Sequence, residues 1–386
     1  MNILRYWGSH LKSLRQASLV AAEFCPMIER GWDCHLVLER EPADLGWLKE
    51  FTSLGVTIHY EPRPKRNLDI GCISRVVSLM RRIRPDVFMC ENIHLSPIIG
   101  ATLTGVAVKI WKKHAMNSSF ESGAQLNFRH RLSLSTRITC DLATIVLAVS
   151  GAVRNELVDL GVPSGKIMIR PNARPVLVDR PYGSREQVLG NFDLAADSVV
   201  WISVARAVPV KGWEMLVRAF RRVVEADPRA KLLLVGGIDR PDELATAAKL
   251  RHEIECLELD GHVKLAGQVD DPTSLLRVCD GFIMSSHSEG FSVAVIEALV
   301  AGLPCVATRV GVAPDVIQDG VNGMLVDRFD ERALADVLIK VTCDDSLRAR
   351  LAANADVPLV IPTLEDFTRI LADDCAALWK ARGSDM

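Results

Sequence analysis

Residues 285–304 read SSHSEGFSVAVIEALVAGLP and connect a predicted strand to a predicted helix. The helix is predicted to open near Ser292, where the polar turn gives way to an apolar run. Glu289 then precedes the helix, whereas Glu297 lies about five residues inside it. Two carboxylates therefore flank the start of one helix.

The start of that helix is a candidate anion site. The backbone amides of Gly290, Phe291 and Ser292 lie at its positive end, between the two carboxylates. A phosphate on the amides would leave Glu289 and Glu297 to accept hydrogen bonds from hydroxyls on either side, which suits a ribose, a diphosphate and a sugar. The alternative is a solvated Glu289 in a turn and a Glu297 paired with a lysine.

A second polar group follows the predicted strand over residues 199–204. Arg206 and Lys211 stand after its carboxyl end, before a helix that is predicted to start at Trp213. An arginine fork and a lysine point charge there could neutralise a diphosphate and stabilise it as a leaving group. The alternative is a pair of surface cations in a loop.

The wider pattern alternates short β-rich runs with amphipathic stretches, which predicts two doubly wound α/β domains with parallel sheets facing a cleft. The first series of strands is predicted at residues 2–5, 33–38, 56–59, 86–90, 107–111 and 143–149. The second series is predicted at residues 199–204, 231–235, 262–265, 281–284, 304–307 and 323–326. Helices are predicted over residues 13–30 and 364–382, and a connector is predicted over residues 171–191.

Length and charge agree with two domains. A chain of 386 residues exceeds one ordinary core. Its formal net charge of −2 hides an asymmetry, because residues 1–180 carry 24 Lys and Arg against 16 Asp and Glu. Residues 181–386 carry 22 against 32, so a basic half precedes an acidic half.

Several function classes lose their signatures. No two glycines and no two aspartates lie two positions apart, which removes the G-x-G-x-x-G dinucleotide motif and the Asp-x-Asp metal clamp. P-loop, H-E-x-x-H and G-x-S-x-G motifs are missing as well. The ten cysteines are at least nine residues apart, so we expect structural thiols in a reducing, cytoplasmic compartment. The N-terminus does not read as a signal peptide, and residues 95–108 are too short to span a bilayer.

The spacing of Glu289 and Glu297 resembles the E-x7-E signature of the family 4 retaining glycosyltransferases, which have the GT-B fold. Arg206 and Lys211 are similar to that family's diphosphate-binding pair. Further positions that match its motifs are Gly302-x-Pro304, Asn322-Gly323, the strand-end Ser150 and Pro171-Asn172. Together these motifs are specific, although none is so alone.

The resemblance is dense from residue 199 to residue 330 and looser before that. It implies three parts: an acceptor-binding domain over 1–175, a donor-binding domain over 176–365, and a C-terminal helix over 366–386 that crosses back to the first domain.

The resemblance also implies a role for each site residue. Glu297 would hold the ribose hydroxyls, and Glu289 would contact hydroxyls of the donor sugar. Arg206 and Lys211 would bind the diphosphate. His114 matches the family's active-site histidine that faces the sugar, the alternative being a loop histidine beside two lysines.

The first loop matches less well. Gly8 corresponds to the glycine loop that closes on the donor, but the family's paired glycines are Gly8-Ser9 here. An ordinary turn glycine is the alternative. The family's G-G-x-P-E stretch ends in Asp315 here, which keeps the carboxylate.

The resulting expectation is a retaining, metal-independent transferase with no cofactor beyond the nucleotide-sugar co-substrate. It would move a hexose-type sugar to a saccharide or lipid-linked acceptor by same-face attack, in bacterial surface polysaccharide synthesis. A GT-B-fold nucleotide-sugar epimerase and a non-catalytic two-domain sugar-binding protein are the alternatives.

Basic side chains of the first half suggest an anionic acceptor or membrane surface, with the protein peripheral at the inner face of the cytoplasmic membrane; no nucleic-acid partner is expected. The clusters comprise Arg63, Lys65 and Arg66; Arg81, Arg82 and Arg84; and Lys109, Lys112 and Lys113, with Arg129, Arg131, Trp111, Phe120 and Phe128 nearby. Solvated helix faces are the alternative.

Overall fold

The computed structural model describes residues 1–7, 14–40, 46–91, 95–116, 133–176, 183–269, 271–356 and 360–383. They form two compact units. One unit contains the described residues of Met1–Asn117, Arg129–Ala173 and Pro362–Met386, and the other contains those of Arg174–Ile361.

The chain alternates strands and helices almost throughout. The strands are β1 (Asn2–Tyr6), β2 (Asp33–Leu38), β3 (Thr57–Tyr60), β4 (Val87–Glu91), β5 (Val108–Lys113), β6 (Ile145–Ala148), β7 (Ile167–Ile169), β8 (Val199–Val204), β9 (Ala230–Val235), β10 (Val263–Gly267), β11 (Gly281–Met284), β12 (Cys305–Thr308) and β13 (Gly323–Val326). The helices are α1 (Leu14–Ala22), α2 (Cys25–Glu29), α3 (Gly46–Thr52), α4 (Ile70–Ile83), α5 (Ser96–Leu103), α6 (Leu134–Leu142), α7 (Gly151–Asp159), α8 (Arg185–Gly190), α9 (Trp213–Ala226), α10 (Pro241–Cys256), α11 (Pro272–Leu276), α12 (Val293–Val300), α13 (Ala313–Val316), α14 (Glu331–Cys343), α15 (Asp345–Ala353) and α16 (Leu364–Gly383).

Each unit contains one parallel sheet whose strand order reverses near its middle. The first sheet runs β3-β2-β1-β4-β5-β6-β7, and the second runs β10-β9-β8-β11-β12-β13. The prediction of two doubly wound parallel sheets is therefore confirmed. The order reverses between β1 and β4 in the first sheet and between β8 and β11 in the second. Ligands of such sheets bind outside the carboxyl ends of the strands at this reversal point.

Three elements differ from the sequence prediction. The helix predicted over 13–30 is two helices, α1 and α2, because Pro26 lies in the first turn of a new helix and has no backbone N–H to continue the old one. The predicted connector contains α8, which begins with a capping box between Ser184 and Gln187. The three-residue strand β7 was not predicted.

The C-terminal helix α16 packs on the first unit, as predicted. Phe367, Leu371 and Cys375 are buried in the same apolar cluster as residues of β1, β4 and β5. Charged pairs also hold the helix: Nη2 of Arg170 donates to Oδ1 of Asp374 at 2.7 Å. Among the residues that the structure describes, no helix combines the length and apolar character needed to cross a membrane.

Candidate functional site

The polar residues predicted in the second unit lie at the reversal point of its sheet. Strands β8 and β11 are neighbours, with Trp201 opposite Gly281 and Ile202 opposite Phe282. Arg206 and Lys211 follow β8, and Glu289 follows β11. Adjacent parallel strands thus bring two loops, far apart in the chain, to one edge of the sheet.

Lys211 and Glu289 form an ion pair there. Nζ of Lys211 lies 2.6 Å from Oε1 of Glu289, and the hydroxyl of Ser286 donates to the same oxygen at 2.7 Å. The side chains are 20% and 12% exposed, so Glu289 is not the solvated turn residue of the alternative interpretation. The sequence singled out both charged residues but predicted neither their pairing nor the part of Ser286.

Close backbone approach of the two loops makes this pair possible. Gly212 has φ +66°, and a Cβ there would lie 2.2 Å from the carbonyl oxygen of Ser285. The hydroxyl of Ser285 donates to the carbonyl of Lys211 at 2.9 Å, and the amide of His287 donates to the carbonyl of Val210 at 2.8 Å. A side chain at position 212 would therefore push the cation away from the carboxylate.

Arg206 is the more accessible cation. Its side chain is 55% exposed, and Nη1 lies 3.5 Å from Oε1 of the buried Glu243. Glu243 belongs to the first turn of α10 and accepts hydrogen bonds from the amides of Asp239 and Arg240 at 3.2 and 3.3 Å. A buried carboxylate that caps a helix thus also lies beside Arg206. Glu243 was missed, and its only sequence signal is its position three residues into a helix.

The helix predicted to open near Ser292 does so: α12 begins at Val293, with Ser292 as its N-cap. Glu297 lies inside this helix and is buried. Gly290 and Phe291 precede the helix, so the three backbone amides of the candidate anion site stand at its N-terminal end, as predicted. Ser292 adopts φ +77° and ψ +90°, which is unusual for a residue with a side chain.

In the first unit, His114 follows β5 and contacts Glu91, the last residue of β4. Nε2 of His114 lies 2.9 Å from Oε2 of Glu91. Nε of Arg5, on β1, donates to the other carboxylate oxygen at 3.0 Å, and Nη1 of Arg5 lies 2.8 Å from Oε2 of Glu23. The sequence singled out His114 alone. The only sequence signal for the other three residues of this group is Arg5, a charged residue inside the apolar first strand.

Electrostatics keep Glu91 ionised. Burial alone would raise the pKa of this carboxyl, but Arg5, His114 and Lys112 together hold the pKa well below its usual range. The pKa of Arg5 is raised, since the attraction of Glu23 and Glu91 outweighs the effect of its burial. His114, with 26% of its side chain exposed, forms the accessible end of this group.

One basic cluster is not where the sequence predicted it. Lys112 and Lys113 are buried, as is Trp111. Nζ of Lys112 lies 4.7 Å from the ring centre of Phe367, and Nζ of Lys113 lies 5.4 Å from that of Trp111. The prediction of a surface patch was wrong because β5 is an inner strand covered on both faces, so neighbouring residues are both buried.

The other two basic clusters, Arg63–Arg66 and Arg81–Arg84, keep their charged side chains exposed. Gly8, Arg129, Arg131, Phe120 and Phe128 lie outside the described residues.

Two motif residues have local structural contacts. Ser150 caps α7 by accepting from the amide of Val153 at 3.2 Å, and Asn322 accepts from the amide of Gln318 at 2.8 Å.

Among the described residues, no three His, Cys, Asp or Glu side chains are grouped so that they could hold a metal ion.

Two family models match the chain in sequence. The model described as Glycosyltransferase Family 4 matches residues 26–175, and the one described as Glycosyl transferases group 1 matches residues 185–357. Together they cover most of the chain, one within each half.

This chain matches about half the length of the curated relatives. An N-acetyl-alpha-D-glucosaminyl L-malate synthase of Bacillus anthracis is 31% identical over 222 residues, which cover 57% of this chain and 55% of the relative. The lipopolysaccharide core biosynthesis glycosyltransferase LpsE of Rhizobium meliloti is 32% identical over 48% of this chain and 49% of its own.

Solved structures share the whole fold. The crystal structure of Anabaena HepE in complex with UDP superimposes with a TM-score of 0.76 at 18% identity, over 98% of this chain and 100% of that one. The same protein in complex with UDP-glucose gives a TM-score of 0.74 at 19% identity, with the same coverage. This likeness shows the two-sheet architecture that the sequence predicted as GT-B.

Proposed function

The chain belongs to the family 4 glycosyltransferases, and from this we propose that it moves a hexose-type sugar from a nucleotide-diphosphate sugar to a saccharide or lipid-linked saccharide. One observation carries the proposal: Lys211 pairs with Glu289 after β8 and β11, at the reversal point of one sheet, and Arg206 follows the same strand β8. This is where a doubly wound sheet binds its ligand.

The pair between Lys211 and Glu289 suits a diphosphate and a sugar together. An ammonium group has three donors, so Lys211 can keep Glu289 and still donate to a phosphate oxygen. Glu289 keeps acceptor positions for sugar hydroxyls, since Lys211 and Ser286 both contact the same oxygen, Oε1. The cation is thus held in place before the donor arrives, which reduces the cost of ordering it on binding.

The proposed mechanism stabilises the leaving group. As the bond between sugar and diphosphate breaks, negative charge develops on the departing oxygen. Arg206, Lys211 and the amides at the start of α12 would stabilise that charge, and such fixed groups act most strongly where charge develops. We propose that the acceptor attacks on the same face and passes its proton to the departing oxygen, which retains the anomeric configuration. In this scheme no metal ion or further cofactor takes part.

The relatives suggest a donor and a pathway. The HepE structures hold UDP and UDP-glucose, which makes UDP-sugars the first donors to test. The name of LpsE contains lipopolysaccharide core biosynthesis, which supports a role in bacterial surface polysaccharide synthesis.

We also propose a peripheral position on the inner face of the cytoplasmic membrane. Arg63, Lys65 and Arg66 are exposed, and they precede two apolar side chains that face solvent, Leu68 at 57% and Ile70 at 79% exposure. Cations beside exposed apolar groups favour anionic lipid, because the charges attract the headgroups while the apolar groups enter the interface.

The test is turnover of a panel of nucleotide sugars, with and without saccharide and lipid-linked acceptors, in EDTA and in added Mg²⁺. We expect acceptor-dependent release of nucleoside diphosphate, an unchanged rate in EDTA, and a product whose anomeric configuration matches the donor. Isomerised sugar without acceptor would identify an epimerase, and binding without turnover would identify a sugar-binding protein. An inverted product would contradict the retaining mechanism.

A further inference from the structure

The first unit contains a series of buried charged side chains that ends at His114. Arg5, Glu23 and Glu91 are all buried, and they come from β1, the turn after α1, and β4. Arg5 contacts both carboxylates, and Glu91 contacts His114 with its second oxygen. Strands β1 and β4 are the pair at which the order of this sheet reverses. This series of charged side chains therefore occupies the same topological position as Arg206, Lys211 and Glu289 do in the second sheet.

The charges of this group are balanced. Arg5 and Lys112 are cations, and Glu23 and Glu91 are anions, so the group is formally neutral without His114. Burying charges costs free energy that only close pairing offsets, so such an arrangement is an expensive way to fill a core. The arrangement holds the Glu91 carboxylate in place, with Oε1 on Arg5 and Oε2 directed at Nε2 of His114.

The direction of the hydrogen bond between Glu91 and His114 follows from chemistry. An ionised carboxylate has no proton to donate, and Arg5 has donors only. The proton in the contact of 2.9 Å must therefore be on Nε2 of His114. In a neutral imidazole the other nitrogen, Nδ1, then carries the lone pair, because the bond made by one nitrogen sets the state of the other.

We propose that Glu91 is a positioning residue that fixes the ring orientation of His114 and its Nε2–H tautomer, and that Arg5 holds Glu91 in place for this task. Its effect on catalysis rests on the proposed function, which gives His114 a contact with the donor sugar. The tautomer itself does not depend on sugar transfer, so it can be tested separately.

The substitution Glu91→Gln tests the assignment sharply. Arg5 donates only, so it will keep the amide oxygen of the glutamine and turn the NH₂ group toward His114. That NH₂ group donates, so Nε2 must then accept and the proton moves to Nδ1. The control is Glu23→Gln, which removes the same charge from the other side of Arg5 and has no described contact with His114.

The measurement is ¹⁵N NMR of the imidazole nitrogens in histidine-labelled full-length protein, with the His114 signals identified by their loss in His114→Asn. We expect the Nε2–H tautomer in the wild type and in Glu23→Gln, and the Nδ1–H tautomer in Glu91→Gln. An Nδ1–H tautomer in the wild type would overturn the proposal, and so would unchanged His114 signals in Glu91→Gln. If Glu91→Gln does not fold, the wild-type spectrum still decides.

Kinetics test the consequence for transfer. We expect Glu91→Gln to lower kcat by on the order of tenfold to a hundredfold, the range found when a carboxylate that orients a metal-bound histidine is lost. The donor KM should stay within about threefold, because the diphosphate-binding residues belong to the other sheet. Glu23→Gln should lower kcat by less than Glu91→Gln does, because its described contact is with Arg5. Equal kcat in Glu91→Gln and the wild type would overturn the catalytic part, whereas absence of transfer in every form would count against the proposed function and leave the NMR result standing.

Discussion

Nζ of Lys211 lies 2.6 Å from Oε1 of Glu289, although the two residues are 78 positions apart in the chain. A cation suited to a diphosphate and a carboxylate suited to sugar hydroxyls therefore form one unit. The pair is mostly buried, so screening by solvent is weaker than for a surface pair. Loss of either partner should therefore affect the position of the other.

Glu289→Ala should lower the rate of sugar transfer by roughly a hundredfold while the protein stays folded. The substitution removes the proposed acceptor for sugar hydroxyls and leaves Lys211 without its fixed partner. Steady-state transfer with a donor found in the panel, together with circular dichroism, measures both effects. Near-normal turnover in the folded variant would remove Glu289 from the proposed site.

Ser292→Gly should raise the free energy of unfolding by about 1 kcal/mol. A non-glycine residue in a sparsely populated region of φ and ψ destabilises the folded state by about 1–3 kcal/mol, and glycine relieves this strain. Glycine in turn costs about 0.5–1 kcal/mol, because it loses more conformational entropy on folding. Denaturant unfolding checks this. Ser164→Gly is the matched control, because Ser164 is exposed and its φ is not positive. It should be neutral or destabilising, and an equal loss in both variants would show that Ser292 is unstrained.

His287 should make the protein less stable as the pH falls from 6.5 toward 4. Burial, together with the nearby charges of Arg218 and Arg328, lowers the pKa of His287 to about 4, whereas the unfolded chain titrates near 6.5. Between these values the unfolded state binds more protons, so stability is complete above pH 6.5 and falls below it. Its ring stacks on Phe329 at 4.2 Å between centroids, and Nδ1 has no hydrogen-bond partner among the described residues.

The check is the free energy of unfolding at pH 7 and pH 5 for the wild type and for His287→Gln. The loss between these values should be smaller in the variant by on the order of 1 kcal/mol, after allowance for the solvent that reaches a half-buried ring. An equal loss in both proteins would show that His287 titrates normally. Comparison of the two proteins cancels the contribution of other histidines.

Replacing Arg63, Lys65 and Arg66 together with glutamine should weaken binding to vesicles that contain anionic lipid. Each cation near such a surface contributes about 1 kcal/mol, so affinity at low salt should fall by on the order of a hundredfold. Co-sedimentation with anionic and with neutral vesicles measures this. A control variant with Arg222, Arg332 and Arg350 replaced removes three exposed cations of the other unit. Absence of binding by the wild type would contradict the membrane proposal.

The sequence predicted the reversal-point loops well because their motifs are local. The start of α12 follows from the polar turn before an apolar run, and Arg206 and Lys211 follow directly from a buried strand. The pairing of Lys211 with Glu289 could not be predicted in the same way, because it depends on β8 lying beside β11 and on the close approach at Gly212. Similarly, Glu91 meets His114 only because β4 pairs with β5.

Charge runs were the least reliable signal. Lys112 and Lys113 look like a solvated pair in the sequence, but β5 is an inner strand and both side chains are buried. Their ammonium groups lie over the rings of Phe367 and Trp111, a cation–π contact that helps a lysine to enter a core. The exposed cluster at Arg63 lies in a loop, where no strand neighbour can cover it. The location of a charge in the fold, rather than the number of charges, decides whether it can reach a partner.

The most direct test of the account is a calorimetric titration with UDP and with uridine of the wild type, Arg206→Ala, Lys211→Met and the control Arg222→Ala. Arg222 is an exposed arginine paired with one carboxylate, like Arg206, but it lies on α9 beside Asp336 at 2.8 Å. We expect each site variant to weaken UDP binding roughly tenfold or more, the value of a charge-assisted contact to phosphate. The affinity for uridine should stay unchanged in both site variants. The control should bind UDP as the wild type does. Unchanged UDP affinity in both site variants, or an equal loss for uridine, would contradict the assignment of the diphosphate to Arg206 and Lys211.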